Sequence, residues 1–176
     1  MRSKKELWLL LAFFLLPIAL GKAFFYWYPA AFTSNTINYG KIINPLITTK
    51  KQDVRFESKT ASLQGLWTLA YTAKTCGNTC TKALADMKTI RILTNDNMRR
   101  IQRILLIDGA TNARQTGLLI AHPSIKLQQK LAKFEPNTIF LIDPLGNIML
   151  HYAGKNINIK RVLKDLNRLL KYSRIG

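Results

Sequence analysis

Residues 66–80 read LWTLAYTAKTCGNTC. Leu66 to Tyr71 is rich in β-formers and has the length of a buried strand. Cys76 and Cys80 follow, ahead of a helical pattern carried by Leu84, Met87, Ile90 and Leu93. The stretch therefore predicts a strand, a turn holding both cysteines, and a helix. Residues four apart at a helix start share a face, so both sulfurs can leave the turn in one direction. Free N–H groups and positive potential at the helix start stabilise a thiolate. A thiolate is the form that attacks disulfides and binds metal. Gly77 and Asn78 are turn-permissive, so the loop can bend to close a disulfide. The C-x3-C spacing is wider than the C-x2-C of common redox pairs. Soft thiolates favour Cu(I), which accepts two or three ligands. A fixed bridge in an oxidising compartment is the plainer alternative.

Toward the C-terminus, Arg103 to Asp108 (RILLID) is a second short apolar run. Gly109 to Ala121 reads as a loop. His122-Pro123-Ser124 opens a helix with Ile125, Leu127, Leu131 and Phe134 on its apolar side, Pro sitting where its missing N–H costs nothing. Thr138 to Ile142 and Ile148 to Tyr152 are strands joined by Asp143-Pro144-Leu145-Gly146-Asn147, which is turn chemistry. Ile159, Val162, Leu163, Leu166, Leu169 and Leu170 make the apolar stripe of a last helix. The order is strand, helix, strand, helix, strand, strand, helix. That order predicts an α/β chain, a thioredoxin-like mixed sheet flanked by helices.

Toward the N-terminus, Arg2, Lys4 and Lys5 precede an uncharged apolar run from Leu7 to Gly21. Through Lys22 this matches the roughly 20 residues of a spanning helix. Lys22 can snorkel to headgroups, Phe24 to Tyr28 look like an aromatic belt, and Pro29 blocks extension. A cleaved signal peptide is the rival, but bulky aromatics occupy the place where cleavage would fall. The basic start should stay in the cytoplasm, which puts the body in the periplasm of an inner (plasma) membrane. The expected organisation is a cytoplasmic stub and transmembrane anchor over 1–28, a linker and lead-in segment over 29–64 with a possible short hairpin, and the thioredoxin-like domain over 65–176.

The 176 residues leave room for one domain plus an anchor. A hydrophobic fraction of 48% excludes disorder, and two cysteines exclude both a disulfide-dense scaffold and a four-cysteine zinc site. The 27 basic against 9 acidic residues give +18. They are spread along the chain, as in the last helix, where Lys160, Arg161, Lys164, Arg168 and Lys171 oppose the apolar stripe. A solvated face attracted to anionic lipid or an acidic partner explains them better than nucleic acid does. Two histidines in these contexts support no Ser-His-Asp order, and no glycine-rich phosphate loop is present.

Several stretches resemble the SCO/SenC group of membrane-anchored, thioredoxin-like proteins tied to cytochrome c oxidase assembly. They are Asn38 to Pro45, Gly65 to Tyr71, the Cys76-x3-Cys80 pair, Leu141 to Met149, and Leu163 to Lys171. The resemblance implies copper handling: two cysteines and a distant histidine hold Cu(I) and help metallate the CuA centre of an oxidase subunit, or reduce its cysteines. By position, Cys76 and Cys80 take the sulfur roles. The histidine position, just before Thr138 to Ile142, reads Phe134-Glu135-Pro136-Asn137 and holds no histidine. Pro136 stands there either as the cis-proline that faces the cysteines in ordinary thioredoxins or as a plain loop proline.

His122 and His151 are the remaining candidates for a third copper ligand. The ordinary role of His122 is a helix cap or a solvent-facing side chain. Alternation puts His151 on the same strand face as Met149, opposite Ile148, Leu150 and Tyr152. Met87 and Met149 are soft donors whose default is core packing, and Glu135 is too hard for Cu(I). Trp67 and Tyr71 should pack the sheet. Three functions compete: a copper-handling or cysteine-reducing oxidase assembly factor, a metal-independent thiol–disulfide oxidoreductase, and a scaffold with a structural disulfide.

Overall fold

The computed structural model describes residues 2–28 and 38–175, and the chain divides into two compact units, Met1–Ile37 and Asn38–Gly176. In the first unit, helix α1 (Arg2–Trp27) is apolar on all sides, and its large side chains from Leu7 to Trp27 are exposed. From Lys4 to Trp27 it is long and apolar enough to cross a membrane, alone in this among the described residues. Tyr28 still donates its N–H to Phe24 O at 2.9 Å, and the two rings sit 5.2 Å apart. Pro29, read as the helix stop, lies outside the described residues.

The second unit is built on β1 (Lys41–Thr48), β2 (Val54–Phe56), β3 (Trp67–Ala73), α2 (Asn78–Leu93), β4 (Ile101–Ile107), β5 (Leu118–Pro123), α3 (Ile125–Leu131), β6 (Thr138–Ile142), β7 (Asn147–Ala153) and α4 (Ile159–Tyr172). Seven strands form one sheet in the order β1-β7-β6-β3-β4-β5-β2. β3, β4 and β5 run parallel, and β6, β7, β1 and β2 pair antiparallel. The mixed, helix-flanked sheet is the architecture the element order predicts. β3, β4 and β6 are nearly continuous apolar runs because both of their faces are covered. On one face Leu69, Tyr71, Leu105 and Leu141 pack with Leu84, Met87 and Ile90 of α2 and with Val162, Leu166 and Leu170 of α4. On the other, Ala70, Ile104, Phe140 and Ile142 pack with Leu127 of α3.

Three expectations need correction. The 29–64 segment is not only a lead-in: β1 and β2 come from it, and they form opposite edges of the sheet rather than a hairpin. Nothing in a short local pattern shows which distant strand an edge strand will join. The loop read over 109–121 ends in β5, so His122 and Pro123 close a strand and Ser124 caps α3, accepting from Leu127 N–H at 3.3 Å. Finally, strict alternation fails in β7. Leu141 faces Leu150 but Ile142 faces Ile148, which makes Met149 an extra, bulged residue. Ile148 therefore joins the α3 side while Met149 packs on the α2–α4 side.

Candidate functional site

β3 delivers the chain to the cysteine turn at the C-terminal end of the parallel strands. Its last residue, Ala73, pairs with Ile107, the last residue of β4. Gly77 takes the N-cap position of α2 in an extended conformation, without a side-chain cap, and its carbonyl accepts from Thr81 N–H at 3.0 Å. Cys80 is the third residue of α2 and Cys76 precedes the cap, so the first helical turn brings them together. They are joined by a disulfide, with Cα atoms 5.0 Å apart. The two sulfurs have different surroundings. Cys80 is 1% exposed and packs with Tyr71, Ala83 and Leu84 in the apolar cluster. Cys76 is half-buried at its edge.

The loop before β6 is fixed against the same end of the sheet. Tyr71 packs as expected, and its hydroxyl also donates to Asn137 Oδ1 at 2.9 Å. Burial raises the Tyr71 phenol pKa, keeping that hydroxyl protonated and a donor. Asn137 holds the left-handed conformation (φ 63°), which a short amide side chain tolerates. Asn44–Pro45 is the cis peptide bond among the described residues. Pro136 is therefore not the cis-proline of ordinary thioredoxins. Glu135 is solvent-exposed.

Neither histidine joins the cysteines. His151 pairs in register with Phe140, on the α3 face, whereas Cys80 packs on the α2–α4 face. Its ring lies 4.8 Å from that of Phe134, tilted by 59°. His122 is two strands from β3, with Nδ1 2.9 Å from Ile107 O and Nε2 3.7 Å from Glu57. A carbonyl can only accept, so Nδ1 carries a proton. Among the described residues no group of three or more His, Cys, Asp or Glu side chains is placed to hold a metal ion. The soft donor set at the turn is two sulfurs, which suits Cu(I) when reduced.

The His151 pKa is lowered, chiefly by burial and then by Lys41, with Glu135 opposing. An imidazole that is harder to charge when folded lets the unfolded chain bind more protons below the ordinary value of 6.5. Its contribution should be complete above pH 6.5 and diminish as pH falls toward the lowered folded value. We expect His151→Phe to flatten stability across that window, measured by urea unfolding at several pH values. An unchanged slope would count against it.

Two buried charged groups that tie the surrounding elements together gave no sequence signal. Arg103, read at the edge of a strand, is fully buried at 1% exposure. It donates to Leu84 O of α2 (3.1 Å) and to Thr116 O (2.7 Å), tying the cysteine helix to the β4–β5 loop. Burial and the neighbouring Arg91 lower its pKa. Asp165 of α4, 2% exposed, accepts from the N–H groups of Tyr39 and Gly40 and from Tyr152 O–H at 2.8–3.0 Å. A lone acid among basic helix residues looks like surface charge until the fold buries it.

Residues 67–173 match a family described as "Transmembrane-like, thioredoxin-like, C-terminal domain". No curated protein matches the chain. Among solved structures, apo Sco1 from Thermus thermophilus is 14% identical with a TM-score of 0.53, over 75% of this chain and 96% of that one. Copper-bound yeast Sco1 is 13% identical with a TM-score of 0.50, over 63% and 82%. At such identities the likeness establishes a common thioredoxin-like fold.

Proposed function

Since the chain belongs to the transmembrane-like, thioredoxin-like family, we propose that it is a membrane-anchored, Sco-like assembly factor for cytochrome c oxidase, acting through Cys76 and Cys80. The observation that carries this reading is the Cys76–Cys80 disulfide at a strand–helix turn, with Cys76 half-buried and Cys80 buried. α1 anchors the chain, its basic start stays in the cytoplasm, and the thiol domain works in the periplasm.

Accessibility makes Cys76 the attacking sulfur. In the reduced protein its thiolate bonds to one sulfur of a partner disulfide. The other partner sulfur leaves as a thiolate and takes a proton. Cys80, deprotonated in turn, attacks Cys76, forms the intramolecular bridge and releases the second partner thiol. Two electrons pass from this chain to the partner, and a dithiol reductant restores the pair. The same two thiolates could carry Cu(I) as cargo. His122 and His151, weighed as third ligands, would have to leave their present partners to join them. No third His, Cys, Asp or Glu joins the pair among the described residues, so electron exchange is the role the two cysteines can perform by themselves.

The full chain in detergent, equilibrated with glutathione buffers, should give a reduction potential between roughly −120 and −270 mV. A value below about −300 mV marks a fixed structural bridge and overturns the proposal. Titration of the reduced chain with Cu(I) tests the copper role: one ion bound, and none in Cys76→Ala, supports it.

A further inference from the structure

A groove of about 590 Å³ opens at the sheet end that carries the disulfide, bounded by the start of β1, the loop before β6 and the first turn of α4. Ile157 lines it and also packs against the apolar cluster that holds Cys76 and Cys80. Lys41, Lys133 and Arg161 line it with exposed side chains, against a single acid, Glu135. Asn44 and Asn156 add amide donors and acceptors. One wall is rigid: Asp165 pins Tyr39 and Gly40, and the Tyr39 ring lies 5.3 Å from both the Arg161 guanidinium and the Lys164 ammonium. His151 also lines it, held toward its neutral form by burial and Lys41, with Glu135 opposing. Among the described residues the far edge of β1 pairs with no strand, which leaves its backbone N–H and C=O groups on that side without a ladder partner.

We propose that this groove docks an extended acidic segment of the partner polypeptide, holding the partner's cysteines beside Cys76. The proposal rests on the exchange reading only for the partner's identity as a cysteine-bearing chain. Three converging cations against one carboxylate set the sign of the ligand. An open strand edge with flanking amides suits a peptide backbone. Pinning of the wall before binding reduces the ordering that association must overcome.

The test uses the full chain in zwitterionic detergent and a fluorescein-labelled hexaglutamate peptide, followed by anisotropy, with hexaglutamine as the neutral comparison. Lys41→Glu/Lys133→Glu should weaken hexaglutamate binding at least tenfold. Lys59→Glu/Lys88→Glu, the same charge change on exposed residues outside the groove, should weaken it less than threefold. Equal losses would mean a diffuse attraction to a chain of net charge +18, and would overturn the site. Equal affinity for hexaglutamine would do the same. Displacement of the peptide by phosphatidylglycerol vesicles, but not phosphatidylcholine vesicles, would assign the groove to lipid headgroups and reject a peptide occupant. Cys76→Ser/Cys80→Ser should bind hexaglutamate as the native chain does, which separates failure of the groove from failure of the redox reading.

Discussion

Asp165→Ala should destabilise the folded domain by about 3–5 kcal/mol. The carboxylate accepts from three donors, Tyr39 N–H, Gly40 N–H and Tyr152 O–H, and two of these bonds are fully buried. Removing it leaves those donors without partners in a place water cannot fill easily. Relaxation is blocked locally. A Cβ on Gly40 would lie 2.6 Å from the Tyr152 ring, so backbone and ring already touch. Burial, then the Asp165 charge and hydrogen bond, raise the Tyr152 pKa and keep its hydroxyl a donor. Asp165→Asn should recover part of the loss, because one amide oxygen can still accept while the NH2 faces other donors. Chemical denaturation measures the cost, and amide hydrogen exchange at Gly40 reports whether the start of β1 detaches. A loss under about 1 kcal/mol, the size of an ordinary hydrogen bond, would show that the clamp is incidental.

Gly154→Ala should cost about 2–4 kcal/mol and should also slow disulfide exchange. A Cβ there would overlap the Asn137 carbonyl oxygen and sit 2.8 Å from Tyr71 Cε2. The nearest obstacle is backbone, so no rotamer change relieves it. The strand end or the 135–137 loop must move. That loop carries Asn137 in its left-handed conformation and accepts the Tyr71 hydroxyl. Tyr71 also packs in the cluster around Cys80. Displacement therefore reaches the helix turn that sets the sulfurs. Comparison with Tyr71→Phe separates the two effects: that variant loses only the hydroxyl bond and should cost about 1 kcal/mol. Gly154→Ala with native stability and native exchange would refute the close approach.

Much of this architecture was legible from local pattern. LWTLAYTAKTCGNTC predicts a strand, a cysteine turn and a helix, and they appear as Trp67–Ala73, the Cys76–Cys80 bridge and Asn78–Leu93. The hairpin around Asp143 to Asn147 and the last helix were equally readable, because each rests on neighbours within a few residues. β1, β2 and β5 escaped. Edge strands such as Lys41–Thr48 alternate weakly, and polar residues and a proline interrupt them.

The sequence by itself determined the long apolar helix, the apolar periods and the cysteine spacing, since hydrophobicity and short-range sterics act within a turn or a strand. Tertiary structure alone decided which side each histidine faces. A single bulge at Met149 shifts one end of β7 against β6, and pairing with Phe140 turns His151 away from the sulfurs. It also decided that Asp165 and Arg103 are buried while their charged neighbours meet water. Burial and facing depend on chain segments up to 126 residues apart coming together, and no local spacing encodes that.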